Sequence, residues 1–337
     1  MDVDIIINEY TSPRENAELA ALAEGYGVRA VWSASYSAGR NPFMALMYAA
    51  DATRRIRLGP LAVSALEMHP LIMANALLTL NEVSNGRATI AVGGGGGVLA
   101  SMGIKRRHIA KSMGECLEIL KLATEKGALD YKGELFSASG YRPRQWADDP
   151  PPLLYAAAGQ PRTIDVATRL AAGLMGSDLV PSMIRRVKQL AEEGLQRHGR
   201  AGEPFAISNF WAWHVKADRS ASMREARREL ILRGMLYPYY TEEVLSKEES
   251  DLVQANMRSF WRAYGDGSGD IAAVPEEIVN KLIDRITTAG DFNDIEREIE
   301  KLKGLQEAGL TQIALRVHDD PADAIRMIGE HVIPALR

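Results

Sequence analysis

The sequence predicts a (β/α)8 barrel formed as a single domain by residues 1–337. Short apolar runs alternate with longer segments of helical periodicity, which is typical of βαβ units and a parallel sheet. Eight such runs occur along the chain, the number that closes a barrel. An open doubly wound sheet would carry its glycine fingerprint at the first strand-to-helix turn, and residues 8–13 contain no glycine.

The first half of the chain alternates regularly between strands and helices. Its strands are predicted at Val3–Asn8, Arg29–Ser33, Ile56–Val63 and Arg87–Val92. Its helices are predicted at Pro13–Glu24, Pro42–Arg54, Pro70–Val83 and Ile109–Lys126. Proline at the first helical position and Ser-Asn-Gly after residue 83 are ordinary helix start and stop signals.

The second half continues this alternation but contains two interruptions. Its strands are predicted at Leu153–Ala157, Gly173–Ser177, Phe205–Val215 and Thr311–Val317. Its helices are predicted at Arg162–Ala172, Met183–His198 and Asp320–His331, the last with Asp320 as its cap. Residues 127–152 are interpreted as an insertion loop, because long connections without periodicity are often functional. Residues 220–303 are interpreted as a helical insertion after the seventh strand.

Composition narrows the class of protein. Hydrophobic residues make up 46% of the chain and charged residues 25%, and the net charge is −4. We do not expect nucleic acid as a partner, because proteins that bind it usually carry an excess of basic residues. The single cysteine, Cys116, lies in an apolar helical pattern and is expected to be an inert core thiol. The start of the chain lacks signal-peptide features and no run is long enough to span a membrane, so we expect a cytoplasmic protein.

The residues that follow each strand are the candidates for function, because barrel active sites lie at the C-terminal ends of the strands. After the fourth strand come five consecutive glycines, Gly93–Gly97. Backbone without side chains can approach a flat ring or a phosphate closely, whereas an ordinary turn needs only one or two glycines. No Gly-Lys-Ser/Thr follows, so the run is not a P-loop.

After the fifth strand, Gly159-Gln160-Pro161-Arg162 opens a helix. Free N–H groups at a helix start bind anions, and Arg162 adds a fixed charge. These residues indicate a phosphate or carboxylate subsite, with an ordinary capped turn as the alternative.

Other strand ends carry groups that could exchange protons. Ser35 and Tyr36 follow the second strand, and Tyr36 is a candidate general acid or hydrogen-bond donor, unless both residues only pack. Glu9 follows the first strand and is a candidate proton carrier, unless it is solvated or held in a salt bridge. His69 precedes Pro70 and is more typical of a helix entry than of a catalyst.

The remaining sequence signals favour an organic cofactor over a metal or a nucleophile. The six histidines show no H-x-x-x-H or H-x-H spacing, and no Gly-x-Ser-x-Gly elbow is present. We therefore predict no metal site and a cofactor that carries the chemistry. Six aromatic residues lie in the late insertion: Tyr237, Tyr239, Tyr240, Phe260, Trp261 and Tyr264. The sequence leaves three roles open for them, which are a wall of the substrate pocket, a dimer interface and core packing.

Several segments resemble motifs of one known family, in order and spacing over most of the chain. They are Val31–Tyr36 with Arg40–Pro42 (VWxxDH…R(D/N)P), Arg57–Pro60 with His69-Pro70, Leu80–Arg87 (LdeiSgGR), Gly93–Gly97 (GxGxG), Ala156–Gly173 and Gly309–Ala324. The family is that of the bacterial luciferase-like flavin and deazaflavin oxidoreductases. Within it, the pattern is most similar to enzymes that use coenzyme F420, such as methylenetetrahydromethanopterin reductase.

The resemblance implies a barrel that binds a flavin-type ring across the strand ends, and it assigns residues by position. Leu61, Ala62 and Ser64 fall where the family backs the ring, Gly94, Gly95 and Gly96 where it lines the ring and ribityl chain, and Gly159, Gln160, Pro161, Arg162 and Gly176 where it holds the phosphate. The family often has a non-prolyl cis bond behind the ring, which we place at Leu61–Ala62. A polyglutamyl tail would favour basic residues beyond the phosphate, with Arg185, Arg186 and Lys188 as candidates.

One departure from the family pattern bears on mechanism. The Asp-His pair of the family aligns with Ser35-Tyr36. Either Tyr36 and Glu9 take over proton transfer, or the acceptor needs little acid catalysis, or catalysis has been lost.

The resemblance implies an oxidoreductase that passes hydride between coenzyme F420 and a small organic substrate. Two alternatives stay open: a monooxygenase that uses reduced FMN from a flavin reductase partner, and a non-catalytic flavin-binding barrel. The family usually pairs its barrels, so a homodimer is expected.

Overall fold

The computed structural model describes residues 1–36, 38–126, 129–142 and 149–337. Parts of the predicted insertion 127–152 therefore lie outside the described residues. None of the described helices combines the length and apolar character needed to cross a membrane.

Eight parallel strands close into a barrel, as the sequence predicts. They are β1 (Asp2–Ile7), β2 (Ala30–Ala34), β3 (Arg57–Ser64), β4 (Thr89–Gly93), β7 (Leu153–Ala157), β8 (Gly173–Ser177), β9 (Ala206–Ala212) and β10 (Gln312–Arg316). Their order around the barrel is β1-β10-β9-β8-β7-β4-β3-β2. The ring closes through β1 and β10, which pair from Asp2–Gln312 to Ile6–Arg316. The predicted fold class is confirmed.

Helices surround the barrel and build the late insertion. Those between the first strand and the end of β8 are α1 (Pro13–Gly25), α2 (Met47–Ala52), α3 (Pro70–Val83), α4 (Gly97–Ser101), α5 (Ile109–Lys126) and α6 (Pro161–Leu170). Those that follow are α7 (Pro181–Arg197), α8 (Arg219–Glu229), α9 (Pro238–Thr241), α10 (Lys247–Ala255), α11 (Met257–Gly265), α12 (Glu276–Ile286), α13 (Ile295–Ala308), α14 (Pro321–Met327) and α15 (Ile333–Leu336). Short 3-10 turns occur at Met44–Leu46, Leu230–Leu232, Gly234–Leu236 and Phe292–Asp294, and a π turn at Ile328–Val332.

The barrel interior is filled at its N-terminal end. Inward-facing side chains such as Ile6, Trp32 and Tyr155 form one buried cluster, in which the Trp32 and Tyr155 rings meet edge to face at 5.7 Å. The buried carboxylate of Asp4 accepts hydrogen bonds from Arg29 and from the Trp32 indole N–H (2.8 Å). Because this end is plugged by side chains, the opposite end is left as the place for a ligand.

The predicted insertion loop contains a hairpin in its described part. Strands β5 (Leu129–Lys132) and β6 (Ser137–Tyr141) pair antiparallel. The Glu115 carboxylate of α5 accepts the N–H groups of Glu134, Leu135 and Phe136, each at 2.9 Å, and so fixes the hairpin turn. The sequence did not reveal this hairpin, since its turn is held by a side chain about 20 residues away.

The predicted helical insertion, 220–303, begins at Arg219 and its last helix ends at Ala308. That helix, α13, packs against α7 and α15 and therefore belongs to the ring around the barrel. Asp320 occupies the N-cap position of α14, with Pro321 as the first helical residue, as predicted. Its backbone is left-handed (φ 57°), however, and its side chain makes no capping hydrogen bond.

Candidate active site

A cleft of about 310 Å³ opens at the C-terminal mouth of the barrel. Its walls come from the ends of β2, β3, β4, β7, β8 and β9 and the loops that follow them. The lining residues are Ala34, Ser35, Tyr36, Leu61, Ala62, Glu67, Gly93–Val98, Ala157, Met175, Gly176, Ser177 and Phe210. This volume lies at the small end of ligand pockets, roughly 300–1,000 Å³, and suits a flat ring system.

The glycine run forms one wall of the cleft. A Cβ added to Gly96 or Gly97 would meet no protein atom within 4 Å, so a bound molecule can lie directly on their backbone. Gly95 has a φ of 78°, and a Cβ there would collide with Leu99 of α4. The run is therefore required in two ways, for an open wall at Gly96 and Gly97 and for a left-handed turn at Gly95.

The end of β3 forms the part of the wall next to the glycine run, because β3 pairs with β4 up to Ser64–Gly93. The Leu61–Ala62 peptide bond is cis, at the position that the resemblance indicated. Leu61 and Ala62 line the cleft, and the carbonyl of Leu61 accepts the N–H of Ser35 (2.9 Å), which ties the loop after β2 to this wall. Ser64 is fully buried and its hydroxyl accepts the N–H of Leu66 (3.1 Å), so it supports the wall from behind.

Tyr36 lies between the cleft and a buried ion pair. Arg316, the last residue of β10, donates to Glu9 (2.6 Å) and to the carbonyl of Ile7 (3.2 Å), and both charged side chains are only 4% exposed. The guanidinium carbon of Arg316 lies 5.8 Å from the centre of the Tyr36 ring. Glu9 is thus held in a salt bridge, one of the alternatives that the sequence left open.

The groups around Tyr36 shift the pKa of its phenol in opposite directions. Burial raises the pKa of Tyr36, whereas the guanidinium groups of Arg316 and Arg233 lower it. The carboxylates of Glu9 and Glu229 raise it further, but by less than burial does. The phenol is therefore protonated at neutral pH, which is the state a proton donor needs.

A second buried ion pair lies beside the cleft. Arg233 donates to Asp178 (3.1 Å), and both side chains are 1% exposed. Arg233 also stacks on Phe210, with 5.0 Å from its guanidinium carbon to the ring centre, and Phe210 lines the cleft. Sequence reasoning missed both this pair and Arg316, because the partners are 55 and 307 residues apart.

Two histidines extend the polar half of the mouth beyond the ends of β9 and β10. The His214 and His318 rings stack with centres 4.8 Å apart. Nδ1 of His214 lies 2.9 Å from Glu225 of α8, and the Nε2 atoms of both rings are buried without a hydrogen-bond partner among the described residues. Burial, His214 and nearby arginines hold the pKa of His318 well below its usual 6.5, so it is neutral.

The predicted phosphate residues do not all face the cleft. Gly176 lines it, whereas Arg162 is exposed and lines a separate groove between α5, α6 and the hairpin. The N–H of Gln160 bonds to Thr163 (3.3 Å) at the start of α6, leaving a capped helix N-terminus near the β7 end of the mouth. Pro161 is the first residue of that helix and Gly159 precedes it, with open space where a Cβ would lie.

A basic loop on the rim was not anticipated. Lys105, Arg106 and Arg107 are exposed, and none of them forms an ion pair within the described residues. A guanidinium nitrogen of Arg106 lies 3.5 Å from where a Cβ of Gly94 would be, so it overhangs the glycine wall. Three consecutive basic residues shortly after the glycine run were the available signal in the sequence.

Two of the three basic residues proposed from sequence for a polyglutamyl tail already lie close to carboxylates, unlike those of the basic loop. Arg186 pairs with Glu243, and Lys188 lies 3.8 Å from Glu192. Arg185 is exposed on α7.

Glu67 is a further residue that sequence reasoning missed. It lies in the loop between β3 and α3, three residues after Ser64, and is the one charged side chain among the residues that line the cleft. Burial raises its pKa, although the backbone N–H groups of Ser64 and Gly96 act to lower it. Nearby His69, by contrast, caps α3 by accepting the N–H of Leu71 (3.2 Å), as its position before a proline suggested.

The aromatic residues of the late insertion divide between core and surface. Phe260 is buried, while Tyr237, Tyr239 and Trp261 are among the exposed large apolar side chains. Tyr264 is close enough to the mouth for Glu229, Glu9 and Tyr36 to act on it, and burial together with these groups raises its pKa to about 12. Phe210 of β9 is the aromatic residue that lines the cleft beside Tyr36.

Comparison with known proteins shows which chains share this architecture. The sequence model of the family described as luciferase-like monooxygenase matches residues 3–312. The 5,10-methylenetetrahydromethanopterin reductase of Archaeoglobus fulgidus is 28% identical over 321 residues, which cover 94% of each chain.

Two solved structures share the fold over the whole of this chain. The coenzyme F420 dependent tetrahydromethanopterin reductase from Methanopyrus kandleri superposes with a TM-score of 0.82 at 22% identity, covering 100% of both chains. A monooxygenase from Streptomyces bottropensis superposes with a TM-score of 0.72 at 19% identity, again covering 100% of both.

Proposed function

The chain belongs to the luciferase-like monooxygenase family, and from that premise we propose that it passes hydride between coenzyme F420 and a small organic substrate. The observation that carries the proposal is the cleft itself. A cleft of ring size is lined by the end of β3 and by the adjacent glycine run, which is open at Gly96 and Gly97, at the mouth where barrel enzymes react.

The residues around the cleft fit a flavin-type ring. Leu61 and Ala62, with Ser64 behind them, would support the ring, and the adjacent Gly94, Gly95 and Gly96 would lie along it. The N-terminus of α6, at Gly159, Gln160 and Pro161, would hold the phosphate together with Gly176 of the cleft, whereas Arg162 lines the neighbouring groove. When bound, the coenzyme supplies the ring carbon that donates or accepts hydride.

Tyr36 is proposed as the group that moves a proton at the substrate. It lines the cleft and is protonated, so it can donate a proton to a substrate atom that becomes basic when hydride arrives. The Glu9–Arg316 pair supports its ring from the side away from the cleft. Ser35, tied by its backbone to Leu61, sets the position of the loop and adds a hydroxyl beside Tyr36.

The preference for the deazaflavin rests on two features. The reductase from Archaeoglobus fulgidus aligns over nearly all of the chain, and a relative from Methanopyrus kandleri is described as coenzyme F420 dependent. The free basic loop at Lys105–Arg107 offers unpaired positive charge for an acidic tail next to the glycine wall.

A monooxygenase reaction with reduced FMN and oxygen is the second candidate. The 4-hydroxyprotoasukamycin monooxygenase of Streptomyces nodosus is 23% identical over 90% of this chain, and the cleft would accept either ring. Such an enzyme would depend on a separate flavin reductase for its reduced cofactor.

Anaerobic fluorescence titration with oxidised and reduced coenzyme F420, and in parallel with FMN and reduced FMN, tests the proposal. We expect tight binding of the deazaflavin. Ala62→Phe, which fills the cleft, should abolish binding, whereas Ala52→Phe on the exposed end of α2 should leave it unchanged. Failure of both redox forms of the deazaflavin to bind would refute the proposal, and oxygen-dependent turnover with reduced FMN would favour the second candidate.

A further inference from the structure

Building on the proposed function, we propose that Glu67 is a proton-linked cofactor ligand. It meets the ring in its protonated form, so that binding of the cofactor takes up a proton. The residue falls outside the positions that the family resemblance assigns.

The position of Glu67 sets it apart from the other acidic residues of the mouth. Its backbone N–H donates to the carbonyl of Ser64 (3.0 Å), which turns the chain so that the side chain lines the cleft beside the glycine wall. The groups that face its carboxyl are the backbone N–H groups of Ser64 and of Gly96. Gly96 is one of the two positions where the wall is open to a ligand.

Two buried carboxylates at the mouth of the barrel each have a cation. Glu9 pairs with Arg316, and Asp178 pairs with Arg233. Glu67 has no ion-pair partner within the described ranges, and burial raises its pKa above the ordinary value of 4.5. A protonated carboxyl is a hydrogen-bond donor whereas a carboxylate is not, and the carbonyl oxygens of a flavin or deazaflavin ring would need such a donor.

Cofactor binding should raise the pKa of Glu67 further. A ring seated on Gly96 removes the water that still reaches the half-buried carboxyl. The cofactor also brings the negative charge of its phosphate, and both effects disfavour the carboxylate. The protonated form therefore binds more tightly, and affinity falls as the pH rises above the pKa of the free protein, by up to about tenfold per pH unit.

The experiment compares cofactor affinity in matched proteins across pH. The dissociation constants of coenzyme F420 and of FMN are measured by fluorescence from about pH 5 to about pH 8.5, a range that begins near the ordinary carboxyl pKa and extends well above it. The proteins are wild type, Glu67→Gln and, as control, Glu82→Gln on the exposed side of α3. Ionisation of the ligand itself is the same in every protein, so the ratio of wild-type to variant dissociation constants isolates Glu67.

We expect the dissociation constant of wild type, divided by that of Glu67→Gln, to rise by about tenfold or more from the acidic to the alkaline end of the range, because one proton is linked to binding. The ratio of wild type to Glu82→Gln should stay near one. Proton uptake by the wild-type protein on mixing with cofactor in weakly buffered solution at about pH 7 gives a second reading that does not depend on a variant.

The outcomes separate this inference from the function on which it rests. The role of Glu67 is overturned if the ratio of wild-type to Glu67→Gln dissociation constants does not change with pH, or if wild type binds the cofactor without proton uptake. Either outcome leaves the proposed function standing. Absence of binding in every protein refutes the proposed function and this inference with it.

Discussion

Removal of one partner from the buried Glu9–Arg316 pair should destabilise the fold strongly. The two variants are Glu9→Gln, which keeps the size of the side chain, and Arg316→Met, which shortens it to an apolar chain; each removes one charge. In the first the guanidinium loses its counter-ion, and in the second the carboxylate is left 95% buried with no cation in contact. Arg316→Met also leaves the carbonyl of Ile7 without its 3.2 Å donor.

The magnitude follows from the geometry. The charged atoms are 2.6 Å apart and both side chains are 4% exposed. Charge centres about 4 Å apart attract by about 4 kcal/mol in an effective dielectric of about 20. Breaking such a pair by removing one partner typically costs about 3–5 kcal/mol, because the remaining charge stays buried. Each single variant should therefore lose about 3–5 kcal/mol, and the double variant less than the sum of the two.

The assay is urea unfolding at neutral pH followed by tryptophan fluorescence, with the four proteins forming a double-mutant cycle. The pair Asp323–Arg326 on α14 is the control, since its side chains are 78% and 50% exposed and such pairs contribute about 0–1 kcal/mol. Single variants that lose less than about 1 kcal/mol, or an additive double variant, would refute the view that this pair is a buried, coupled unit.

Two further predictions concern the glycine wall and the stacked histidines. Gly97→Ala should weaken cofactor binding, because its methyl group enters open space on the cleft wall, and should change the free energy of unfolding by no more than about 0.5 kcal/mol relative to wild type. Gly95→Ala should instead lower the free energy of unfolding, because Gly95 has a positive φ and an added methyl group would collide with Leu99. Equal losses of stability in the two variants would contradict this prediction. The free energy of unfolding should fall by about 1.4 kcal/mol per pH unit as the pH drops below about 6.5, the pKa of His318 in the unfolded chain. The reason is that the unfolded chain binds a proton there, whereas the folded protein, in which the pKa of His318 is lowered, does not. His318→Asn should remove this contribution to the pH dependence, and an unchanged slope in the variant would contradict the role of His318.

The fold could be predicted because its signals are local. Short apolar runs and segments of period 3.6 are visible within windows of about ten residues, and their alternation located all eight barrel strands. The resemblance to a family added what periodicity cannot show, including the cis bond at Leu61–Ala62. The hairpin at 129–141 escaped prediction, since Glu115 on another element fixes its turn.

The charged half of the mouth could not be predicted, because its contacts form only when the barrel closes. Arg316 meets Glu9 across the β1–β10 seam, and Arg233 reaches Asp178 from the late insertion. No sequence window contains both members of either pair. Glu67 escaped for a different reason: it lies in a loop, where no periodicity distinguishes a side chain that faces a cleft from one that faces water.

The departure from the family's Asp-His pattern occurs where the two halves of the mouth meet. On one side, the cleft from Leu61 to the glycine wall carries a single charged residue, Glu67. On the other side, ion pairs and stacked histidines fill the ends of β8, β9 and β10. Tyr36 touches both halves, because its ring lines the cleft and lies beside the guanidinium of Arg316. A histidine here would face the same cation and would resist taking up a proton, whereas a phenol is neutral as a donor and its anion is stabilised by that cation. The proposed proton transfer by Tyr36 therefore suits a mouth in which Arg316 is fixed by Glu9.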